Sequence, residues 1–185
     1  MVTIRPLSSN DCMQTLTTLL HLSYASLAAQ GWNFTAVDQS VDVTRERLAG
    51  AHGFVAERDG RFVGTVAVRG PKPAGEAYIA DPPPPLYTTA GTAILSQLAV
   101  HPDCRGQGIA ERLMDAAEAW ACEQGFARLA LDTAEPAVAL RRRYERRGYA
   151  TVGGVQWQGK TYGSVLMCKP LGEAGRTIPH VSTLP

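Results

Sequence analysis

An uncharged run, Thr92 to Val100 (TAILSQLAV), feeds a polar loop, His101-Pro102-Asp103-Cys104-Arg105-Gly106-Gln107-Gly108. The loop opens a segment whose apolar residues Ile109, Leu113, Ala117, Trp120 and Ala121 recur at near-helical spacing. Arg112, Asp115, Glu118 and Glu123 fall on its other faces, and Gly125 stands where a C-cap belongs. A buried strand delivered through glycines onto a helix constrains the fold more than any other stretch. Glycines let backbone approach a ligand closely, and the first turn of a helix leaves N–H groups unpaired. The positive end of the helix dipole adds to this, so the turn suits a phosphate or pyrophosphate. Arg105 stands where it can add a charge-assisted contact. The loop lacks the GK[ST] ending of a P-loop and the GxGxxG of a dinucleotide fold. On local features alone, a plain tight strand-to-helix turn remains open.

The rest of the chain alternates strand-like and helix-like stretches. Val2 to Arg5 reads as a strand closed by Pro6, and Ser8, Ser9, Asn10 and Asp11 offer N-caps to a following amphipathic helix. A short helix is expected from about Val43 to Ala49. Phe54–Glu57 and Phe62–Val68 form a hairpin across Asp59-Gly60. Arg128–Asp132 is a strand, and Glu135–Arg147 a helix with Pro136 in its first turn and Gly148 past its end. Strands around Tyr149–Trp157 and Tyr162–Lys169 follow, with Gly159 in the turn between them.

Composition narrows the functional classes. Eighteen Lys plus Arg against 17 Asp plus Glu leave a charge of +1, which argues against binding nucleic acid or a membrane surface by bulk charge. With 45% hydrophobic residues the chain can build one sizeable core, and no run approaches a membrane span. Leu16 to Ala29 is a buried helix rather than a signal peptide, because Asp11 precedes it and His21, Ser23 and Tyr24 interrupt it. Cys12, Cys104, Cys122 and Cys168 show no CxxC spacing, so reduced thiols in a cytoplasmic setting are expected. His101 and Cys104 form an HxxC pair without a second pair, so no metal is expected.

Two further features admit opposite readings. Gly70 to Gly91, with its run Pro82-Pro83-Pro84-Pro85, is either an exposed insertion or a flap lined by Tyr78 and Tyr87. Arg141, Arg142, Arg143, Arg146 and Arg147 spread around their helix and read as a solvated face, with contact to an anionic ligand the sharper alternative.

Leu98 to Ala110 (LAVHPDCRGQGIA) resembles the signature of the GNAT superfamily of acetyl-CoA-dependent N-acetyltransferases. Arg105, Gly108 and Ala110 fill its [QR]xxGx[GA] core, and the later YERRGY, Tyr144 to Tyr149, is similar to the family's second motif. The resemblance implies a mixed α/β (α+β) fold with a mostly antiparallel, splayed sheet flanked by helices. The element order gives one domain over residues 1–170 that contains the insertion at 70–91, and the lack of periodicity after Pro170 reads as a flexible tail over 171–185. Acetyl-CoA would be the co-substrate. The N–H groups of Arg105, Gly106, Gln107, Gly108, Ile109 and Ala110 would hold its pyrophosphate, and the backbones of Leu98 and Val100 would pair with its pantetheine arm.

Tyr144 would protonate the departing thiolate, since a phenol keeps its proton at neutral pH with a pKa of ~10. Helical periodicity alone reads Tyr144 as core, with Leu140 one turn earlier. No acid lies on the strand Ala93 to Val100, where Ser96 and Gln97 stand instead; Glu76 and Asp81 are in reach by sequence, and the general base is left unassigned. Many relatives carry an Asn near the start of the helix before Tyr144; here Glu135-Pro136-Ala137 replaces it. The expected activity is acetyl transfer to a primary amine of a small molecule or peptide. A non-catalytic acyl-CoA-binding module and a longer acyl donor are the alternatives. Trp32, Phe34, Tyr78 and Tyr87 are candidates for an aromatic acceptor site, and a homodimer is open. The insertion and the tail are where specificity is expected.

Overall fold

Alternating apolar residues and glycine turns build the following elements in the computed structural model, which describes residues 1–73 and 81–172. They are β1 (Thr3–Pro6), α1 (Met13–Ala28), α2 (Val41–Leu48), β2 (His52–Arg58), β3 (Arg61–Arg69) and the single turn α3 (Pro85–Thr88). Then come β4 (Thr92–Val100), α4 (Ile109–Glu123), β5 (Arg128–Ala134), α5 (Val138–Arg146), β6 (Ala150–Val155) and β7 (Ser164–Pro170). The strands form a 7-stranded sheet in the order β1-β2-β3-β4-β5-β7-β6. Every neighbouring pair is antiparallel except β4 and β5.

The β2–β3 turn falls on Asp59 and Gly60, whose φ values of 51° and 74° are the left-handed pair a two-residue hairpin requires. Period-2 alternation then assigns the faces. Phe54 and Ala56 join the core beneath Leu113, Met114 and Ala117 of α4, whereas Val55 packs on the opposite side against Leu16 and Leu19 of α1. Helices therefore cover both faces, as expected for a mixed α/β fold. Among the described residues, no helix is long and apolar enough to cross a membrane.

Two boundaries differ from expectation. α1 starts at Met13 with Cys12 as its cap and no side-chain cap bond. Asp11 is diverted by a bidentate pair with the Arg5 guanidinium, both contacts at 2.8 Å, and also accepts from the Ser8 N–H at 2.7 Å. A charge-assisted fork outcompetes a neutral cap. α5 starts at Val138 rather than Glu135, because the Glu135 N–H donates to Gly163 O at 2.8 Å and keeps the chain tied to the β7 end of the sheet. Pro136 therefore precedes the helix.

β4 carries the irregularity that matters most. Thr65 pairs with Ala99 but Ala67 pairs with Ser96, so Gln97 and Leu98 together oppose one residue of β3. Gln97 sits at φ 53° in this bulge. Parity flips across it: Ala93 and Leu95 face α4, while beyond the bulge Leu98 and Val100 face α4 and Ala99 faces α1.

Gly64 of β3 lets α4 sit directly on the sheet. A Cβ there would lie 2.9 Å from Leu113 Cδ1 and 3.1 Å from both Ala99 O and Ile109 Cγ2. Replacing Gly64 with Ala is expected to lower stability by about 1–3 kcal/mol through overpacking. Urea denaturation measures it, and an unchanged midpoint would mean that α4 shifts freely.

Candidate active site

β4 and β5 pair only through Thr92–Arg128, Ala93–Leu129 and Ile94–Ala130. β5 then stays bonded to β7 along its whole length while β4 stays with β3, so the two strands part. His101 N donates to Val63 O at 2.9 Å, and Ala99 pairs with Thr65. In an antiparallel ladder the intervening residues turn their N–H and C=O groups the other way. The backbones of Val100 and Leu98 consequently face the gap, and the Leu98 carbonyl accepts from Tyr24 Oη at 3.1 Å.

The gap widens into a cavity of about 770 Å³. Its walls come from α1, the segment Trp32–Ala36, the outer half of β4, the loop before α4, β5, α5 and the 157–162 turn.

One end of the cavity is main chain. Gly106 and Gly108 both lie in the left-handed region, at φ 74° and 72°. The first helical bond of α4 runs from Arg112 N to Gly108 O at 3.1 Å. Among the described residues, no N–H from Gly106 to Glu111 donates to any acceptor, and no side chain caps the helix. A run of amides left without partners at the positive end of a helix of 15 residues is an anion cradle.

Arg105, Gly106, Gly108, Ile109 and Ala110 line the cavity. Gln107 does not, its Oε1 accepting from Arg58 Nη2 instead. The Arg105 guanidinium is also engaged, donating to Ser23 O at 2.7 Å and to Ser26 Oγ at 3.4 Å, which ties the loop to α1.

Tyr144 belongs to both readings that its sequence position allows. It is 5% exposed, packs edge-on against Tyr149 at 5.9 Å, and lines the cavity. Burial pushes its phenol well above the usual value, with smaller contributions from neighbouring groups. Burial raises Tyr24 and Tyr162 in the same way. Tyr162, Phe34 and Tyr24 form an aromatic wall, with Phe34 4.8 Å from Tyr162 and 5.6 Å from Tyr24, centroid to centroid.

Asp132 of β5 faces this wall. Its Oδ1 accepts from Tyr87 Oη at 2.8 Å and its Oδ2 from Trp157 Nε1 at 2.9 Å. Arg47 and Lys160 complete the polar lining here. Burial lowers the Lys160 pKa first, and nearby Arg47 lowers it further.

Several expected residues lie elsewhere. Tyr87 does not line the cavity but is fully buried in a cluster with Ile94, Ala130, Trp157 and Leu166, from which its hydroxyl reaches Asp132. Asp81 does not line the cavity, its carboxylate accepting from Gln158 N at 2.7 Å. Glu76 and Tyr78 lie outside the described residues, as does most of the tail. His101 Nδ1 accepts from Asp103 N at 3.3 Å, and Cys104 is buried beside Arg58. Arg147 is bound to Glu111, Asp115 and Glu118 of α4, with contacts of 2.7 to 3.0 Å, and so pins α5 against α4. The arginine cluster is thus partly structural.

Residues 17–149 match the model of the acetyltransferase (GNAT) family. The chain belongs to this family. As a GNAT acetyltransferase it is an acyltransferase. No curated protein gives a significant sequence match.

Solved structures share the fold of this GNAT protein at low identity. The ribosomal-protein-S18-alanine N-acetyltransferase of Escherichia coli is 16% identical, with TM-score 0.70 over 96% of this chain and 99% of that one. The PaiA N-acetyltransferase of Thermoplasma acidophilum, in complex with coenzyme A, is 15% identical, with TM-score 0.68 over 92% and 99%. A GNAT family acetyltransferase from Elizabethkingia anophelis with acetyl-CoA bound is 15% identical, with TM-score 0.63 over 92% and 98%.

Sequence reasoning missed Asp132, Arg47 and Lys160 in this GNAT site. For Asp132 a signal existed: it is the one charge inside the strand run LALDTA. Arg47 and Lys160 carried none, since each sits among ordinary polar residues.

The buried phenols give a solution test. Of 6 tyrosines, Tyr24, Tyr144, Tyr149 and Tyr162 are shifted upward. A raised folded pKa contributes stability in full below the unfolded value of ~10 and loses it as pH rises through the folded value. Phenolate absorbance of the native protein at pH 11 should therefore stay at or below that of the remaining tyrosines, and the rest should appear on unfolding. Full ionisation in the folded state would show that the cavity phenols are solvated.

Proposed function

We propose that this acetyltransferase moves the acetyl group of acetyl-CoA directly onto a primary amine of a small molecule or peptide. The observation that carries this is one cavity joining an unpartnered amide cradle, Gly106 to Glu111, to a buried proton donor, Tyr144. The cradle fits a pyrophosphate, because its N–H groups have no protein acceptor and its glycines leave open space where a Cβ would stand. The coenzyme A and acetyl-CoA complexes of two fold neighbours agree with this use.

The outward backbones of Leu98 and Val100 would pair with the amides of the pantetheine arm as a strand would. Gly106, Gly108, Ile109 and Ala110, which line the cavity, would contribute N–H groups to the pyrophosphate, and Gln107, outside it, would not. The Arg105 side chain would act indirectly, by fixing the loop to α1. Bound acetyl-CoA supplies an acetyl thioester, electrophilic at its carbonyl carbon.

Transfer forms a C–N bond and breaks the C–S bond; the amine gives up a proton and the thiolate gains one. Tyr144 holds its proton at Oη through the neutral range, because burial disfavours the phenolate, and so has one to donate. Asp132 is the base we assign. Two neutral donors orient its carboxylate, which leaves lone pairs to attract an ammonium and to take its proton directly or through a water. The non-catalytic alternative rested on an absent base, and Asp132 removes that reason for it.

Thiol release from acetyl-CoA with a panel of amines tests the reading. Replacing Tyr144 with Phe should lower kcat by about 10²-fold or more, with the KM for acetyl-CoA nearly unchanged. Unchanged turnover at saturation would remove Tyr144 from the chemistry.

A further inference from the structure

Three partly buried cations of this protein are matched by carboxylates at hydrogen-bond distance. Arg5 meets Asp11 and Glu57, Arg147 meets Glu111, Asp115 and Glu118, and Lys169 meets Glu118. Arg58, Arg69 and Arg141 are not, and neither are Arg47 and Lys160, which differ from those three in facing the acceptor end of the cavity together. Among the described residues neither has a carboxylate within ion-pair distance, and both bond only to neutral oxygens.

Both side chains are nevertheless held in place. Arg47 Nη1 donates to Gln39 Oε1 at 2.6 Å. Gln39 Nε2 in turn donates to Thr44 Oγ1 at 2.7 Å and to Gln97 Oε1 at 3.1 Å, so the guanidinium hangs from a buried network on the β4 bulge. Lys160 Nζ donates to Asn33 O at 2.7 Å, while Asn33 side-chain bonds to Gly159 O and Thr161 N fix that turn. Each cation keeps further donors unused. Asp38 and Asp132 act on Lys160 only at longer range, so fixed cations without a bonded carboxylate in a half-buried cavity gain from an anion that joins them.

We propose that the acceptor carries a carboxylate as well as its amine, and that Arg47 and Lys160 hold that carboxylate. Its class is an amino acid with an apolar side chain. This rests on the acetyl-transfer reading and deepens it. Asp132 attracts the ammonium, the two cations take the carboxylate, and Trp32, Phe34 and Tyr162 provide an apolar wall for the side chain. The same cations repel a second ammonium, so diamines and polyamines are excluded. Burial first and Arg47 second lower the Lys160 pKa, and a bound carboxylate would oppose both.

The test uses the whole protein with two readouts. The first is the kcat/KM of acetyl transfer to a panel of free aromatic and aliphatic amino acids, each beside its carboxamide, with putrescine and a short peptide added. The second is calorimetric binding of the same pairs to the protein saturated with coenzyme A. The acid of the preferred pair should exceed its amide at least tenfold in both readouts. Replacing Lys160 with Gln should collapse that ratio toward one and raise the KM for the amine, leaving the KM for acetyl-CoA unchanged; replacing Arg47 with Lys should leave part of the ratio.

Turnover with equal rates for acid and amide, or faster acetylation of putrescine or of the peptide, overturns the carboxylate site while acetyl transfer stands. A rise in the KM for acetyl-CoA in the Lys160→Gln variant also overturns it, by placing that cation on the co-substrate. Selective, Lys160-dependent binding of the acids without any thiol release leaves the site standing and overturns the transfer reading.

Discussion

Two parallel strands that separate must leave two facing rows of backbone groups without ladder partners, and buried backbone groups need partners. β4 and β5 do this beyond Ile94–Ala130, and each is prevented from closing the gap by its other neighbour. β7 bonds β5 throughout, so β5 cannot follow β4. The bulge at Gln97 and Leu98 turns β4 and flips its parity, which aims Leu98 and Val100 into the gap. The cavity, the outward amides and the delivery of the glycine loop to the cavity mouth all descend from that separation.

The parts around the gap are fixed by different kinds of interaction. α4 is seated by apolar contact over Gly64, where its first turn rests against backbone. That contact aims the amide run from Gly106 to Glu111 at the cavity. α5 is held to α4 by Arg147 and its three carboxylates, a network in which shared geometry counts for more than any single exposed pair. Tyr144 is thereby placed relative to the cradle by elements that otherwise do not belong to one another. On the β5 side, Tyr87 and Trp157 bond the two oxygens of Asp132, so a neighbouring apolar cluster orients a carboxylate at the cavity.

What could be read from the sequence follows from how local each feature is. The strand, glycine loop and helix from Thr92 to Glu123 lie within one stretch of chain, and their boundaries follow from alternation, positive φ and helical spacing. Tyr144 was accessible for the same reason, through YERRGY. Asp132, Arg47 and Lys160 meet only because β5, α2 and the β6–β7 turn converge on one cavity, and no local pattern encodes that. Tyr87 fits neither the exposed insertion nor the flap that the proline-rich segment suggests, because it inserts into a satellite core. The start of α1 falls beyond the candidate caps because Asp11 has a stronger partner in Arg5 than the helix offers.

The cavity thus divides by the type of atom that forms it. Its cradle end is mostly main chain, which tolerates almost any side chain that preserves φ at Gly106 and Gly108. Its other end is side chain: Asp132, Arg47, Lys160 and the aromatic wall, contributed by segments stitched together through Asn33 and Thr161. Main-chain geometry of this kind can persist while side chains diverge. Side-chain recognition cannot, because removing one cation or one carboxylate changes which charge pattern the pocket accepts. A change of one side chain therefore alters the chemistry of the second half of this cavity far more than that of the first.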